Sequence, residues 1–128
     1  MMRVLIVDDE ADSRDLTATV LERAGAATVT AATTHEAMAA VGSSRFDGIV
    51  TDIGMPVEDG FALLSQVRLH ADEAVRRIPV VALTAYAAEP DRSRVLAAGF
   101  DGYLAKPVEP EDLTYAVSVA VTRTSQNS

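Results

Sequence analysis

Two kinds of segment alternate along the chain. Short apolar runs occur at Val4–Val7, Ala27–Ala31, Gly48–Thr51, Val80–Leu83 and Gly102–Leu104. The first, third and fourth are nearly unbroken Val, Ile and Leu, the pattern of strands covered on both faces. Between them lie longer stretches with apolar residues at helical spacing. In Asp12–Ala24, residues Leu16, Val20 and Leu21 fall on one predicted core face, and Gly25 is the expected stop. Thr34 is the expected cap of a second helix that turns Ala37, Met38 and Val41 inward and stops at Gly42. A third helix is predicted over Asp59–Leu69, burying Phe61, Leu64 and Val67. A fourth covers Glu89–Ala98, with Pro90 in its first turn and Gly99 past its end. A fifth covers Pro110–Thr122 and buries Leu113, Val117 and Ala120 or Val121.

Five strands alternating with five helices predict an α/β fold, a doubly wound parallel sheet with helices on both faces. Right-handed crossovers bring every strand's C-terminal end to one edge, where such sheets carry their sites. The expected domain is residues 1–122, followed by a polar, disordered tail over 123–128.

The polar residues that interrupt the pattern gather at that predicted edge. Asp8 and Asp9 follow the first strand, Asp52 the third and Thr84 the fourth, and Lys106 comes just after the fifth. Taken singly, each aspartate reads equally well as a helix cap, and Thr84 or Lys106 reads more readily as a solvated surface residue. As a set they are harder to dismiss. Three clustered carboxylates repel one another by about 4 kcal/mol per close pair at an effective dielectric near 20. A divalent cation removes that conflict, and an all-oxygen donor set suits the hard ions Mg²⁺, Mn²⁺ or Ca²⁺. The same set fits phosphoryl transfer to a carboxylate: a nucleophile, a cation site, an ammonium and a hydroxyl. Asp52 is the expected nucleophile because it follows the central strand and is flanked by Thr51 and Ile53.

Composition narrows the choice. The chain has 128 residues, no Cys, and a net charge of −8 from 19 acidic and 11 basic side chains. So acidic a surface repels phosphate backbones, which argues against direct nucleic-acid binding. Without Cys there is neither a disulfide framework nor a thiolate nucleophile, which suits the cytoplasm. No apolar run reaches membrane-spanning length, and the start MMRVLIVDDE lacks the features of a signal peptide. His35 and His70 read as solvated residues, and Arg76–Arg77 as a solvated pair on a loop.

The segments VLIVDDE, IVTDIGMPVEDG, VVALTAYA and GYLAKPVEPEDL resemble the receiver domains of two-component response regulators. The resemblance runs from Arg3 to about Val121. It implies a flavodoxin-like fold, with Asp52 as phosphoacceptor and Asp8, Asp9, Asp52 and the Gly54 carbonyl as the protein's Mg²⁺ ligands, Mn²⁺ being an alternative ion. It also implies that Thr84 and Lys106 bind the phosphoryl oxygens, that the Lys106–Pro107 bond is cis, and that Thr84 and Tyr103 form the switch. The implied partners are a histidine kinase or histidine phosphotransfer protein, and a downstream protein docked on the face of helix four, strand five and helix five.

Some positions depart from the family pattern. Glu58 stands where Met is common, Gly54 has no side chain two residues after Asp52, Tyr86 takes the matching place after Thr84, and Glu109 replaces a better helix cap. The expected function is a phosphorylation-dependent switch, not a free-standing enzyme. A Mg²⁺-dependent phosphohydrolase would need a second acid at position 54, and a docking scaffold would have lost one of the five polar residues. The chain ends with no output domain, so a single-domain regulator and a receiver from a hybrid kinase both fit, and the wording TDIGMP, ALTAYA and LAKPVEP favours the second.

Overall fold

The computed structural model describes residues 2–85 and 89–126. Among them lie five strands and six helices. The strands are β1 (Arg3–Val7), β2 (Ala27–Ala31), β3 (Gly48–Asp52), β4 (Val80–Thr84) and β5 (Gly102–Ala105). The helices are α1 (Ala11–Arg23), α2 (Thr34–Ser43), α3 (Gly60–Arg68), α4 (Glu73–Arg76), α5 (Glu89–Ala97) and α6 (Pro110–Gln126). All pairings are parallel, in the order β2-β1-β3-β4-β5, so this is the doubly wound sheet expected.

The strand period of two divides the core. Val4, Ile6, Val50, Val81 and Leu83 pack with Leu21 of α1 and with Leu113, Val117 and Ala120 of α6. Their neighbours Leu5, Val7, Ile49, Val80 and Ala82 pack on the other face with Val41 of α2 and with Leu63, Leu64 and Val67 of α3. β3 and β4 are buried at every position, whereas edge strand β5 is half-buried throughout. That contrast explains why β3 and β4 read as unbroken apolar runs and β5 does not.

Local chemistry sets the helix boundaries. Gly25 and Gly99 follow α1 and α5 with φ of +99° and +107°, the left-handed turn that glycine makes without steric cost. The cap of α2 is Thr33, not Thr34. Thr33 is extended, its hydroxyl accepts from the Glu36 amide at 3.1 Å, and Glu36 reaches back to the Ala32 amide at 2.8 Å. Thr34 is the first helical residue and is buried, and its hydroxyl donates to the Glu58 carbonyl at 3.1 Å.

Other expectations change as well. α2 runs through Gly42 to Ser43. Leu16 points outward at 64% exposure, and Thr17 and Ala18 take the core side with Leu21. The predicted loop before Pro79 contains α4, capped by Asp72 and anchored by buried Val75. Arg76 is not simply solvated there, because its guanidinium donates to the carbonyls of His70 and Ala71. α6 continues to Gln126, so residues 123–126 are helical. With α4 counted, the predicted fourth and fifth helices become α5 and α6.

Candidate phosphoacceptor site

The parallel register places the C-terminal ends of β1, β3, β4 and β5 side by side. Val7 pairs with Thr51, Asp52 with Leu83, and Thr84 with Ala105. The residues that follow these ends therefore meet although they lie far apart in sequence. Asp8 is 2% exposed, Asp52 8% and Thr84 4%, while Asp9 is open to solvent. Asp52, Gly54, Thr84 and Lys106 line one cavity of about 600 Å³, together with Glu10, Leu16, Thr17, Pro107 and Val108.

One carboxylate oxygen from each of Asp8, Asp9 and Asp52 lies within 4.8 Å of the other two. Lys106 Nζ donates to Asp8 Oδ2 at 3.1 Å and stands 3.7 Å from Asp52 Oδ1. Asp8 also accepts from the Glu10 amide at 3.0 Å, and the Arg14 guanidinium holds its backbone carbonyl at 2.9 Å. The Gly54 amide approaches Asp52 Oδ1 at 3.4 Å. The Lys106 amide donates to the Thr84 carbonyl at 2.8 Å, and the Lys106–Pro107 bond is cis.

One ammonium among three carboxylates leaves the cluster short of positive charge. Asp52 registers the deficit. Burial pushes its carboxyl above the ordinary carboxylate range, opposed by Lys106 and reinforced by the charges of Asp8 and Asp9. An all-oxygen cluster with surplus negative charge and no competing soft ligand fits a hard divalent cation.

The loop after β3 folds tightly over the site. Met55 is buried, and Gly60 sits so close to the strand end that a Cβ there would lie 2.9 Å from the Asp52 carbonyl oxygen. Val57 has φ +66° and is fully exposed. Tyr103 is half-buried on β5 against the core of the α2–α3 face. Tyr86 lies outside the described residues.

The structure thus brings together all the residues that the sequence singles out at this edge. The sequence did not show that Asp8 is the nearer partner of Lys106. The pair spans 98 positions, and only the strand order makes them neighbours. Nor did it show that Leu16 and Val108 line the cavity. An apolar residue on an amphipathic helix reads as core, and only the outward turn of Leu16 in three dimensions reveals otherwise.

The model of the response regulator receiver domain matches residues 4–118. The chain belongs to this family. The receiver is similar to the phosphate regulon transcriptional regulatory protein PhoB of Pseudomonas aeruginosa, with 36% identity over 94% of this chain and 52% of that protein. It is also 42% identical to a 14.6 kDa protein encoded in the sodA1 3′ region of Leptolyngbya boryana, across 88% of this chain and 84% of the relative. It therefore spans most of one relative and about half of the other. Among solved structures it resembles a CheY-like receiver domain protein from Methanospirillum hungatei (TM-score 0.86, 29% identity, 100% of this chain and 99% of that one). It also resembles the receiver domain of the sensor histidine kinase PA1611 from Pseudomonas aeruginosa, which has a magnesium ion coordinated in its active-site cleft (TM-score 0.83, 30% identity, 94% of this chain and 98% of that one). Among the described residues, no helix of the receiver is long and apolar enough to cross a membrane.

Proposed function

We propose that this receiver is a two-component signalling switch that takes a phosphoryl group onto Asp52 from a histidine kinase or phosphotransfer protein. The observation that carries this reading is the placement of a buried carboxylate of raised proton affinity in a cavity shared with Thr84 and Lys106. Asp52 is the nucleophile: a carboxylate oxygen forms the bond to phosphorus as the donor's P–N bond breaks, and the departing imidazole takes up a proton. Asp8, Asp9, Asp52 and the Gly54 carbonyl would hold Mg²⁺, or Mn²⁺ in its place, which when bound neutralises charge on the transferring oxygens. Lys106 balances the acidic cluster before transfer and pairs with a phosphoryl oxygen afterwards. Thr84 offers a hydroxyl donor from the adjacent strand end.

Movement of Thr84 towards the phosphoryl group, with Tyr103 turning inward, would carry the change to the face of α5, β5 and α6, where a downstream protein docks. Receivers are signalling domains and not free-standing enzymes, and Gly54 leaves no general acid two residues after the nucleophile. A cytoplasmic setting completes the proposal.

The test is intact-protein mass after incubation with acetyl phosphate, with and without Mg²⁺. The expected result is a Mg²⁺-dependent gain of one phosphoryl group in the wild type and none in Asp52→Asn. A gain that persists in the variant would remove Asp52 from the role.

A further inference from the structure

Residues 53–59, which join β3 to α3, carry Gly54 but have little packing of their own. Gly54, Pro56, Val57 and Glu58 are exposed, and a Cβ at Gly54 would meet nothing within 4 Å. The course of the loop is therefore set from elsewhere. The Gly60 amide donates to the Ile53 carbonyl at 3.0 Å and closes the loop at its base. Met55 is buried in the core that α2 and α3 share. A further hold comes from another helix: Thr34, the first residue of α2, donates its hydroxyl to the Glu58 carbonyl at 3.1 Å.

The Thr34 hydroxyl serves the loop and not its own helix, because Thr33 already caps α2. Thr34 is 2% exposed, so its bond to Glu58 is made out of water, where an unmet hydroxyl is costly. The bond spans 24 positions and ties α2 to the loop from outside it. The Glu58 carboxylate accepts from Gln66 of α3 as well, at the surface. Between the Met55 and Glu58 anchors stands Val57, at φ +66° and fully exposed. Nothing that its side chain touches asks for that conformation. A left-handed valine persists where the chain on either side is held, and Met55 and Thr34 supply the holds.

We propose that Thr34 is a positioning residue for the cation site: acting through the Glu58 carbonyl, it keeps the loop in the conformation that sets Gly54 beside Asp52. The inference rests on the phosphoacceptor reading above, in which the Gly54 carbonyl is a metal ligand. Gly54 lines the Asp52 cavity, and its amide approaches Asp52 Oδ1 at 3.4 Å. A shift of the loop moves Gly54 while Asp8 and Asp9, which follow another strand, stay in place. A loop already ordered by α2 gives up less freedom when the cation binds, and so binds it more tightly.

Calorimetric titration of the full chain with Mg²⁺ tests this. Thr34→Val keeps the shape of the side chain without the donor, and should weaken Mg²⁺ binding about three- to tenfold, the worth of one hydrogen bond. Thr34→Ser keeps the donor and should restore most of the affinity. Circular-dichroism melts confirm folding, and Thr34→Ala, which also lacks the donor, replaces the valine variant should that one not fold. At saturating Mg²⁺, phosphorylation of Thr34→Val by acetyl phosphate should return to within about twofold of the wild-type rate, since only the cation site is affected. A wild type that binds Mg²⁺, with the folded donor-free variant binding equally tightly, overturns the proposal alone. So does a serine variant as weak as the valine one, or a rate that stays low at saturating Mg²⁺. A wild type that binds Mg²⁺ but is not phosphorylated overturns the phosphoacceptor reading and leaves Thr34 to be decided by the titration. A wild type that binds no Mg²⁺ overturns the metal reading and this proposal with it.

Discussion

The ammonium of Lys106 is nearer to Asp8, at 3.1 Å, than to Asp52, at 3.7 Å. In the resting receiver the lysine is thus anchored mainly by an acid that is not the proposed nucleophile. Asp8 has only 2% of its side chain exposed, so the lysine offsets a buried charge. It also repels any dication that shares the cluster. Lys106→Met should tighten Mg²⁺ binding by a factor on the order of ten, measured by titration calorimetry, because a like charge leaves the site. The same variant should lose at least about 100-fold in phosphorylation rate with acetyl phosphate, since the transferred oxygens lose their ammonium.

Asp52→Asn should stabilise the metal-free fold. Burial raises the Asp52 carboxyl above 3.8, so the native state binds its proton more tightly than the unfolded chain does. Its ionised form is therefore a penalty, absent below the unfolded value and growing as pH rises through the raised native one. The melting temperature of the variant should match that of the wild type near the acid end of this window and exceed it by a few degrees at pH 7. Added Mg²⁺ should narrow the gap, because it stabilises the wild type more.

The loop after β3 contains two backbone tests of opposite sign. Val57 adopts φ +66° with a β-branched side chain that contacts only solvent, a costly conformation for any residue but glycine. Val57→Gly should raise the thermal midpoint by a few degrees. Gly60→Ala should lower it by more, because the new methyl would meet the Asp52 carbonyl oxygen and the Ile53 Cα, both at 2.9 Å. Neither backbone atom can step aside without moving the strand end that carries Asp52.

Arg68 joins three segments at the far edge of the sheet. Its guanidinium donates to the carbonyls of Arg76 and Ile78 and to Asp101, whose carboxylate also accepts from the Val80 amide. Both side chains of the ion pair are 32% exposed, so the Coulomb part is small. The carbonyl bonds matter more. Arg68→Met should cost about 1–2 kcal/mol in urea unfolding, with Asp101→Asn milder because the asparagine oxygen still accepts from Val80.

Much of this fold was legible because its strands are buried on both faces and its helices on one. Val4–Val7 and Val80–Leu83 admit hardly any other reading, and the polar residues just beyond them stand out for that reason. The errors arose where two physical rules compete at adjacent positions. Thr33 and Thr34 are both competent caps, and the choice between them depends on the Glu58 carbonyl that receives the Thr34 hydroxyl. Leu16 fits the helical period of a core residue, but the sheet is already filled there by Ala18 and Leu21. The four-residue α4 is too short to show a period, and its Asp72 cap resembles any loop aspartate. The Lys106–Asp8 pair was hidden because contact order, not local pattern, creates it.

The order β2-β1-β3-β4-β5 sets Asp8, Asp52, Thr84 and Lys106 at the ends of four adjacent strands drawn from almost the full length of the chain. Only a fragment that runs at least from Asp8 to Lys106 holds Asp52 together with both, and a partly formed sheet separates them. Under the proposed function, the capacity to be phosphorylated on Asp52 would therefore report that the last strand has docked. A chain with an incomplete sheet would then stay silent, and the proposed signal would carry its own check on the integrity of the molecule that relays it.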